Sequence, residues 1–178
     1  MDFLCLDFIN SQWYLTHRIF EECFEREVWI DRFCSKWELS KQQFYSERDA
    51  LKPLRACLYQ AALGLCENGR IGQADLEAVN QHLLPNSFCQ KIEREDNAYV
   101  VRMVPIASNA PVLAHKIILS FTELITEYQL DRIKLCSNPD CDWFFYDSSK
   151  NHTRKWCDNT CASLMKVRRF RAARKQSP

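Results

Sequence analysis

Four cysteines near the C-terminus are arranged in two close pairs. Cys136 and Cys141 form a C-x4-C pair, and Cys157 and Cys161 form a C-x3-C pair after fifteen intervening residues. This spacing is close to that of structural zinc sites built from four cysteines. Because four thiolates complete a tetrahedral zinc, no open position remains for a catalytic water. We therefore predict one structural Zn²⁺ ion per chain, in preference to buried core cysteines, redox-active pairs or an iron–sulfur cluster.

Neighbouring residues support this prediction. Pro139 favours a tight turn that folds the first two thiols toward one point, and residues 143–146 are strand-like. Cys157 and Cys161 are four residues apart, so a helix that begins here would place both sulfurs on one face. The N-terminus of that helix and nearby basic side chains favour the thiolate form that binds metal. His152 lies between the two pairs, and we expect it at the surface because four cysteines already suffice.

A basic segment follows the second cysteine pair. Residues 150–178 contain nine Lys or Arg and one acid, a charge of +8, whereas the first 149 residues carry 15 basic and 22 acidic side chains, a charge of −7. From Cys157 onward the pattern is helical, and we expect Leu164, Val167 and Phe170 to pack inward. Such a helix suits the major groove of duplex DNA, with phosphate contacts first. The predicted nucleic-acid contacts are Arg154, Lys155, Lys166, Arg168, Arg169, Arg171, Arg174 and Lys175.

Length and composition restrict the class of protein. The 178 residues suit one domain with a small appendage, and 26% charged and 12% aromatic residues exclude a disordered chain. The other six cysteines have no repeating spacing and are expected to be small apolar residues of a reducing compartment. The longest apolar stretch, residues 112–121, is too short to span a membrane. An acid interrupts the N-terminal apolar run, so we expect no secretory signal and a cytoplasmic protein.

The remaining sequence predicts mostly helices. Apolar spacing predicts helices over residues 28–39, 51–66, 74–84 and 111–129. Pro53 suits the first turn of its helix, and Asn68-Gly69 marks the end of that helix. Two strand-like arms, residues 88–94 and 99–104, flank Glu95-Asp96-Asn97 and predict a β-hairpin.

These elements predict an α+β fold in two units. Residues 1–130 form a predominantly α-helical domain with the hairpin, and residues 131–178 form a small four-cysteine zinc finger with a zinc-knuckle turn, short strands and a helix.

Three polar residues are candidates for a small-molecule site in the helical part. Asp7 and Asn10 are spaced i, i+3 in an apolar helix, and with Arg55 they could line a pocket. They could equally bond to each other or cap a buried backbone group, which is how most buried polar groups are satisfied. We favour this structural role. The scattered histidines and carboxylates form no catalytic set, so we expect no enzyme.

Both ends of the chain resemble the CGNR zinc-finger family of bacterial stress-induced transcription regulators. The similar residues are Asp147-Ser148-Ser149-Lys150-Asn151-His152-Thr153-Arg154-Lys155-Trp156-Cys157 with Cys161 and the basic helix, and Leu4-Cys5-Leu6-Asp7-Phe8-Ile9-Asn10, which resembles the opening of the family's ABATE domain. The Cys-Gly-Asn-Arg motif is Cys161-Ala162-Ser163-Leu164 here, and His152 stands where Arg is usual. The zinc ligand is retained, but the Arg of the motif is replaced by Leu164.

The resemblance implies a DNA-binding regulator with an N-terminal regulatory or sensing domain. We therefore expect duplex DNA and a small-molecule effector as partners, and no membrane. A homodimer would lengthen the DNA site, since one short helix covers few base pairs. The alternative is a zinc-dependent module that binds RNA or an acidic protein surface with the same charges. The sequence leaves open the effector, the DNA target, and the choice between activation and repression.

Overall fold

The structure is a computed structural model that describes residues 1–16, 21–84, 88–96, 98–106 and 111–176. None of the helices in these ranges has the length and apolar character needed to cross a membrane. The helices are α1 (Leu4–Asn10), α2 (Trp13–Thr16), α3 (Glu27–Lys36), α4 (Lys41–Asn68), α5 (Gln73–Leu83), α6 (Val112–Glu127) and α7 (Asn159–Gln176). The strands are β1 (Phe88–Glu95), β2 (Ala98–Pro105), β3 (Ile133–Leu135) and β4 (Phe144–Tyr146), and short 3-10 turns lie at Cys23–Glu25 and Leu130–Arg132.

The longest helix, α4, begins ten residues before the expected start at residue 51. The Ser40 side chain accepts a hydrogen bond from the Gln43 N–H and caps the N-terminus, while Gly69 ends the helix in the left-handed conformation, as expected. Pro53 therefore lies inside the helix and not in its first turn, which corrects that prediction. The first three turns are mostly polar, so their periodicity is weak, but Phe44 is fully buried and anchors them.

Helices α1, α4 and α6 enclose the main core. The predicted apolar face of α6 is buried, with Ile117 and Phe121 inaccessible to solvent. Phe8 from α1 stacks with Phe24, and Trp29 stacks with Phe33 at 4.8 Å between ring centroids. Each fully buried side chain of this kind contributes about 1.5–3 kcal/mol from burial of apolar surface. The aromatic residues therefore belong to the core and its margin.

Strands β1 and β2 form the predicted antiparallel hairpin. Ile92 pairs with Val101 across it, and both side chains are exposed. At the tip, Asp96 has a positive φ of 49°, as a tight turn requires, whereas the predicted turn residue Asn97 lies outside the described residues. With the helices and the second hairpin, this element confirms the α+β fold class.

Strands β3 and β4 form a second antiparallel hairpin, which packs into the main core. Ile133, Phe144 and Tyr146 are all buried in the same apolar cluster as the helices. The Asn10 side chain also bonds both backbone groups of Phe144, donating to its carbonyl at 2.9 Å and accepting from its N–H at 2.7 Å. The division at residue 131 stays a prediction, and the structure shows that the two parts share one core.

Candidate metal centre

The four predicted ligands come together at the end of the β3–β4 hairpin. All four are free thiols, and their Sγ atoms lie within 4.8 Å of one another. The Sγ of Cys157 is 3.6 Å from that of Cys141 and 3.7 Å from that of Cys161. In a tetrahedral site with zinc–sulfur bonds of about 2.3 Å, the sulfurs are about 3.8 Å apart. The four cysteines therefore fit one structural zinc ion.

The first cysteine pair is held by backbone hydrogen bonds of a tight loop. The Cys136 N–H donates to the carbonyl of Trp143 at 2.9 Å, and the Cys141 N–H donates to that of Asn138 at 3.0 Å. The Cys157 N–H points at the Cys136 sulfur at 3.4 Å, as donors around a thiolate cluster do. Strand pairing thus sets the direction in which the loop presents its two sulfurs.

The second pair straddles the start of α7. This helix begins at Asn159, so Cys157 precedes it, and the expectation that one helical face carries both sulfurs is corrected. The Asp158 carboxylate accepts the Cys161 N–H at 2.9 Å and acts as the N-cap. This explains the one acid in a basic segment, because a carboxylate suits the positive end of a helix. Sequence reasoning missed this cap.

A buried amide supports the fourth ligand. The side chain of Asn138 is almost inaccessible, and its Nδ2 group donates to the Cys161 Sγ at 3.3 Å. Its Oδ1 accepts from the Asp140 N–H, which fixes the orientation of the amide. Outer contacts of this kind orient metal ligands. Sequence reasoning missed Asn138, although an Asn before Pro139 in the cysteine loop was a usable turn signal.

Without metal, protons are unequally shared among the sulfurs. A hydrogen bond from Cys157 lowers the pKa of the Cys141 thiol to about 6, and the same contact raises the pKa of Cys157. Burial raises the pKa of Cys161 to about 11. One thiolate is therefore available near neutral pH, and zinc binding would release the protons of the other thiols.

The comparison with known families supports the same site. Residues 132–174 match the family model of the CGNR zinc finger. The match covers about a quarter of the chain and includes all four cysteines. None of the curated proteins compared with the chain matches it.

His152 lies within the matched segment but outside the sulfur cluster. Its Nδ1 is 3.3 Å from a carboxylate oxygen of Asp131, and its backbone has a left-handed φ of 53°.

An ion pair between a buried aspartate and a partly buried lysine holds the loop between the two cysteine pairs. Asp147 is fully buried and accepts hydrogen bonds from the Lys134 ammonium at 2.6 Å and from the backbone N–H groups of Ser149 and Arg154. Burial alone would raise the pKa of Asp147, but these donors outweigh it and hold that pKa well below its usual range. Lys134 also donates to the His152 carbonyl, so one pair fixes both sides of the loop.

The structure divides the predicted nucleic-acid contacts into two groups. Arg154 bonds the carbonyls of Trp156 and Cys157 and covers the Phe145 ring, so it supports the loop. Arg168 pairs with Asp140 at 2.5 Å, and Arg169 lies over the Trp156 ring at 5.7 Å. The second group consists of exposed cations, namely Lys155, Lys166, Arg171 and Arg174. The Lys175 side chain lies outside the described part of the chain.

The apolar residues of α7 do not pack inward as expected. Leu164, Val167 and Phe170 are 41%, 44% and 62% exposed. Apolar residues spaced three apart normally mark a buried face of a helix, but burial also requires a surface that packs against that face. The rest of the finger contacts α7 through Cys161, Arg168 and Arg169 instead. The correction leaves an apolar surface on a basic helix.

The three candidate small-molecule contacts have three different sets of partners. Asp7 accepts from the Lys36 ammonium at 2.6 Å and from the Trp37 indole at 3.0 Å. Asn10 binds the backbone of β4, as described above.

The buried Arg55 makes two bonds to the Glu22 carboxylate and covers the Phe24 ring at 4.3 Å. Of the three candidates, Asp7 borders a cleft of about 930 Å³. The ligand-binding role of the three residues stays a prediction.

Proposed function

We propose that this chain is a zinc-stabilised DNA-binding transcription regulator whose helix α7 contacts duplex DNA. The observation that carries this proposal is the charge and exposure of α7, which contains six basic residues and no acid. Its 18 residues extend about 27 Å, enough to lie along the major groove of DNA. We propose a binding role and no catalysis, because four thiolates leave zinc no open coordination position.

Helix α7 is held in place before it meets any partner. Cys161 joins its first turn to the sulfur cluster, and Arg168 pairs with Asp140 in the cysteine loop. Arg169 over Trp156 adds a contact on the same side. A helix ordered in advance loses less conformational entropy on binding, so its charges are more effective than those of a free tail.

Different basic residues have different proposed roles. Lys166, Arg171 and Arg174 lie around a shallow depression on the outer side of α7 and are the proposed phosphate contacts. Arg154, Arg168 and Arg169 already have partners within the finger and are proposed to position the helix. Three phosphate contacts give a slope of about −2.7 in a plot of log affinity against log salt.

The helical part is proposed to regulate the finger. The cleft beside Asp7 is also lined by Tyr14, Trp29 and Trp143, and the last of these belongs to the finger. The Trp143 carbonyl accepts the Cys136 N–H, so an effector in the cleft would touch a residue bonded to the metal centre. A stress-related role, and an ABATE-type identity for this part, are proposed from the sequence resemblance.

Matched charge variants test the proposal. The test variant is Lys166→Gln/Arg171→Gln/Arg174→Gln, and its control is Arg32→Gln/Arg70→Gln/Lys116→Gln, which removes the same charges from exposed positions of the helical part. Zinc-loaded proteins are titrated with mixed-sequence duplex DNA by fluorescence anisotropy, with RNA and an acidic polymer as competitors. We expect the test variant to lose at least tenfold in affinity and the control to lose much less.

Two outcomes would contradict this function. Equal losses in both variants would mean that only net charge matters and that α7 is not the contact surface. Stronger competition by RNA or by the acidic polymer than by duplex DNA would favour the alternative, a zinc-dependent RNA or protein module. Zinc content and circular dichroism, measured on each variant, confirm that the metal centre and helices are intact.

A further inference from the structure

Two apolar side chains on α7 project into solvent. Val167 is 44% exposed and Phe170 is 62% exposed, so neither side chain gains the full free energy of burying its apolar surface. Leu164 is different, because it borders a cavity beside the cysteine cluster that Trp13 and Trp143 also line. Val167 and Phe170, here called the apolar pair, are therefore left exposed beside each other and are accessible to a partner.

The contacts of α7 with the finger fix the direction of the apolar pair. Arg168 and Cys161 are seven residues apart and share the inner side of the helix. At about 100° per residue, Phe170 lies about 160° around the helix from Arg168, and Val167 lies about 100° from it. The apolar pair thus belongs to the surface that α7 presents away from the finger.

Cations surround the apolar pair. Val167 and Phe170 line the same shallow depression as Lys166, Arg171 and Arg174. The Arg174 guanidinium lies 5.6 Å from the centre of the Phe170 ring, which keeps this charge beside the aromatic side chain. The surface is therefore apolar at its centre and positive at its edge, with no acid anywhere in the helix.

The major groove of DNA has the complementary pattern. Phosphates line both of its edges, and the 5-methyl group of each thymine is an apolar point on its floor. A protein partner would match the surface of α7 only if it combined an apolar centre with an acidic rim. Duplex DNA supplies both features in every site that contains thymine, so the pattern favours it as the occupant.

We infer that Val167 and Phe170 contact thymine methyl groups in the major groove and make α7 selective for thymine-containing sites. This inference rests on the proposed function and adds base selectivity to it. Lys166, Arg171 and Arg174 hold the phosphates, while the apolar pair distinguishes bases by shielding their methyl groups from water. Each shielded methyl group improves affinity by about fourfold.

Replacing thymine by deoxyuridine tests the inference, because it removes only the methyl group. The zinc-loaded full chain selects a duplex from random DNA, and that duplex is resynthesised with deoxyuridine at every thymine. Both duplexes are titrated with the wild type, with Val167→Ala/Phe170→Ala, and with the control Val28→Ala, an exposed valine on α3. We expect the wild type and the control to bind the deoxyuridine duplex at least fourfold more weakly, and the double variant to bind both duplexes equally.

The outcomes separate the inference from the proposed function. If the wild type binds both duplexes equally, the inference is wrong and DNA binding stands. If the double variant keeps the full preference for thymine, other residues read the methyl groups and the inference is also wrong. Self-association that the double variant abolishes, with its thymine preference retained, would make the apolar pair a protein interface. No binding to either duplex by zinc-loaded wild type would overturn the proposed function itself.

Discussion

Replacing Asn10 by Ala should loosen the attachment of the finger to the helical core. The Asn10 amide makes two buried hydrogen bonds to the backbone of Phe144, a residue that is only 1% exposed. After the substitution, the N–H and the carbonyl of Phe144 both lose their partner in an apolar environment. Each such group costs about 1–3 kcal/mol, so we expect the free energy of unfolding to fall by about 2–6 kcal/mol.

Urea unfolding of the zinc-loaded protein, followed by far-ultraviolet circular dichroism, measures this loss. Asn80→Ala is the matched control, because Asn80 is an exposed residue of α5 and the same change in helix propensity applies. We expect the control to change the free energy of unfolding by less than about 0.5 kcal/mol. Asn10→Asp keeps the acceptor and loses the donor, so it should also be destabilising.

A small effect at Asn10 would refute this reasoning. If Asn10→Ala and Asn80→Ala unfold at the same urea concentration, the bonds to Phe144 contribute nothing measurable to stability. The amide of Asn10, at the end of α1, would then be free to serve a ligand. A large loss of stability would instead support the structural role that we favoured from the sequence.

Two other substitutions test the finger. Asp147→Asn removes the charge partner of the partly buried Lys134 ammonium and should destabilise the finger by about 3 kcal/mol, the lower end of the range for buried pairs, measured as a lower melting temperature, whereas adding Lys134→Met should recover part of the loss. Because the pKa of Asp147 is depressed, its stabilising effect is fully present above about pH 4 and should be lost progressively as pH falls from there toward the much lower pKa of the folded state. Cys157→Ser should lose zinc and unfold the finger, whereas Cys89→Ser, at an exposed thiol outside the cluster, should retain one zinc per chain by metal analysis.

Local patterns in the sequence were sufficient to predict most of the longer elements and the metal ligands, but not the short helix α2 or strand β3. Paired cysteines, the apolar face of α6 and the arms of the β1–β2 hairpin are each visible within a few residues. The start of α4 was predicted too late, because its first turns carry mostly polar residues. Its early start is anchored by Phe44, which is buried against Phe24, Trp29 and Phe33, residues that precede the helix.

Long-range contacts were beyond prediction from one sequence. Asn10 and Phe144 are 134 positions apart, and neither residue type indicates the other. Lys134 and the buried Asp147 form the ion pair of the finger, but each could equally have been a surface charge. The inward packing of Val167 was wrong because periodicity shows that a face is apolar, not that a surface exists to cover it.

The salt dependence of DNA binding by the zinc-loaded full chain tests the central claim most directly. Affinity for a mixed-sequence duplex is measured over a range of salt concentrations, with and without a zinc chelator. Three phosphate contacts predict a straight line with a slope of about −2.7 for the zinc-loaded protein, and at least tenfold weaker binding after chelation. Chelation that leaves the affinity unchanged, or no binding at low salt by protein with one zinc per chain, would contradict a zinc-positioned DNA-binding helix.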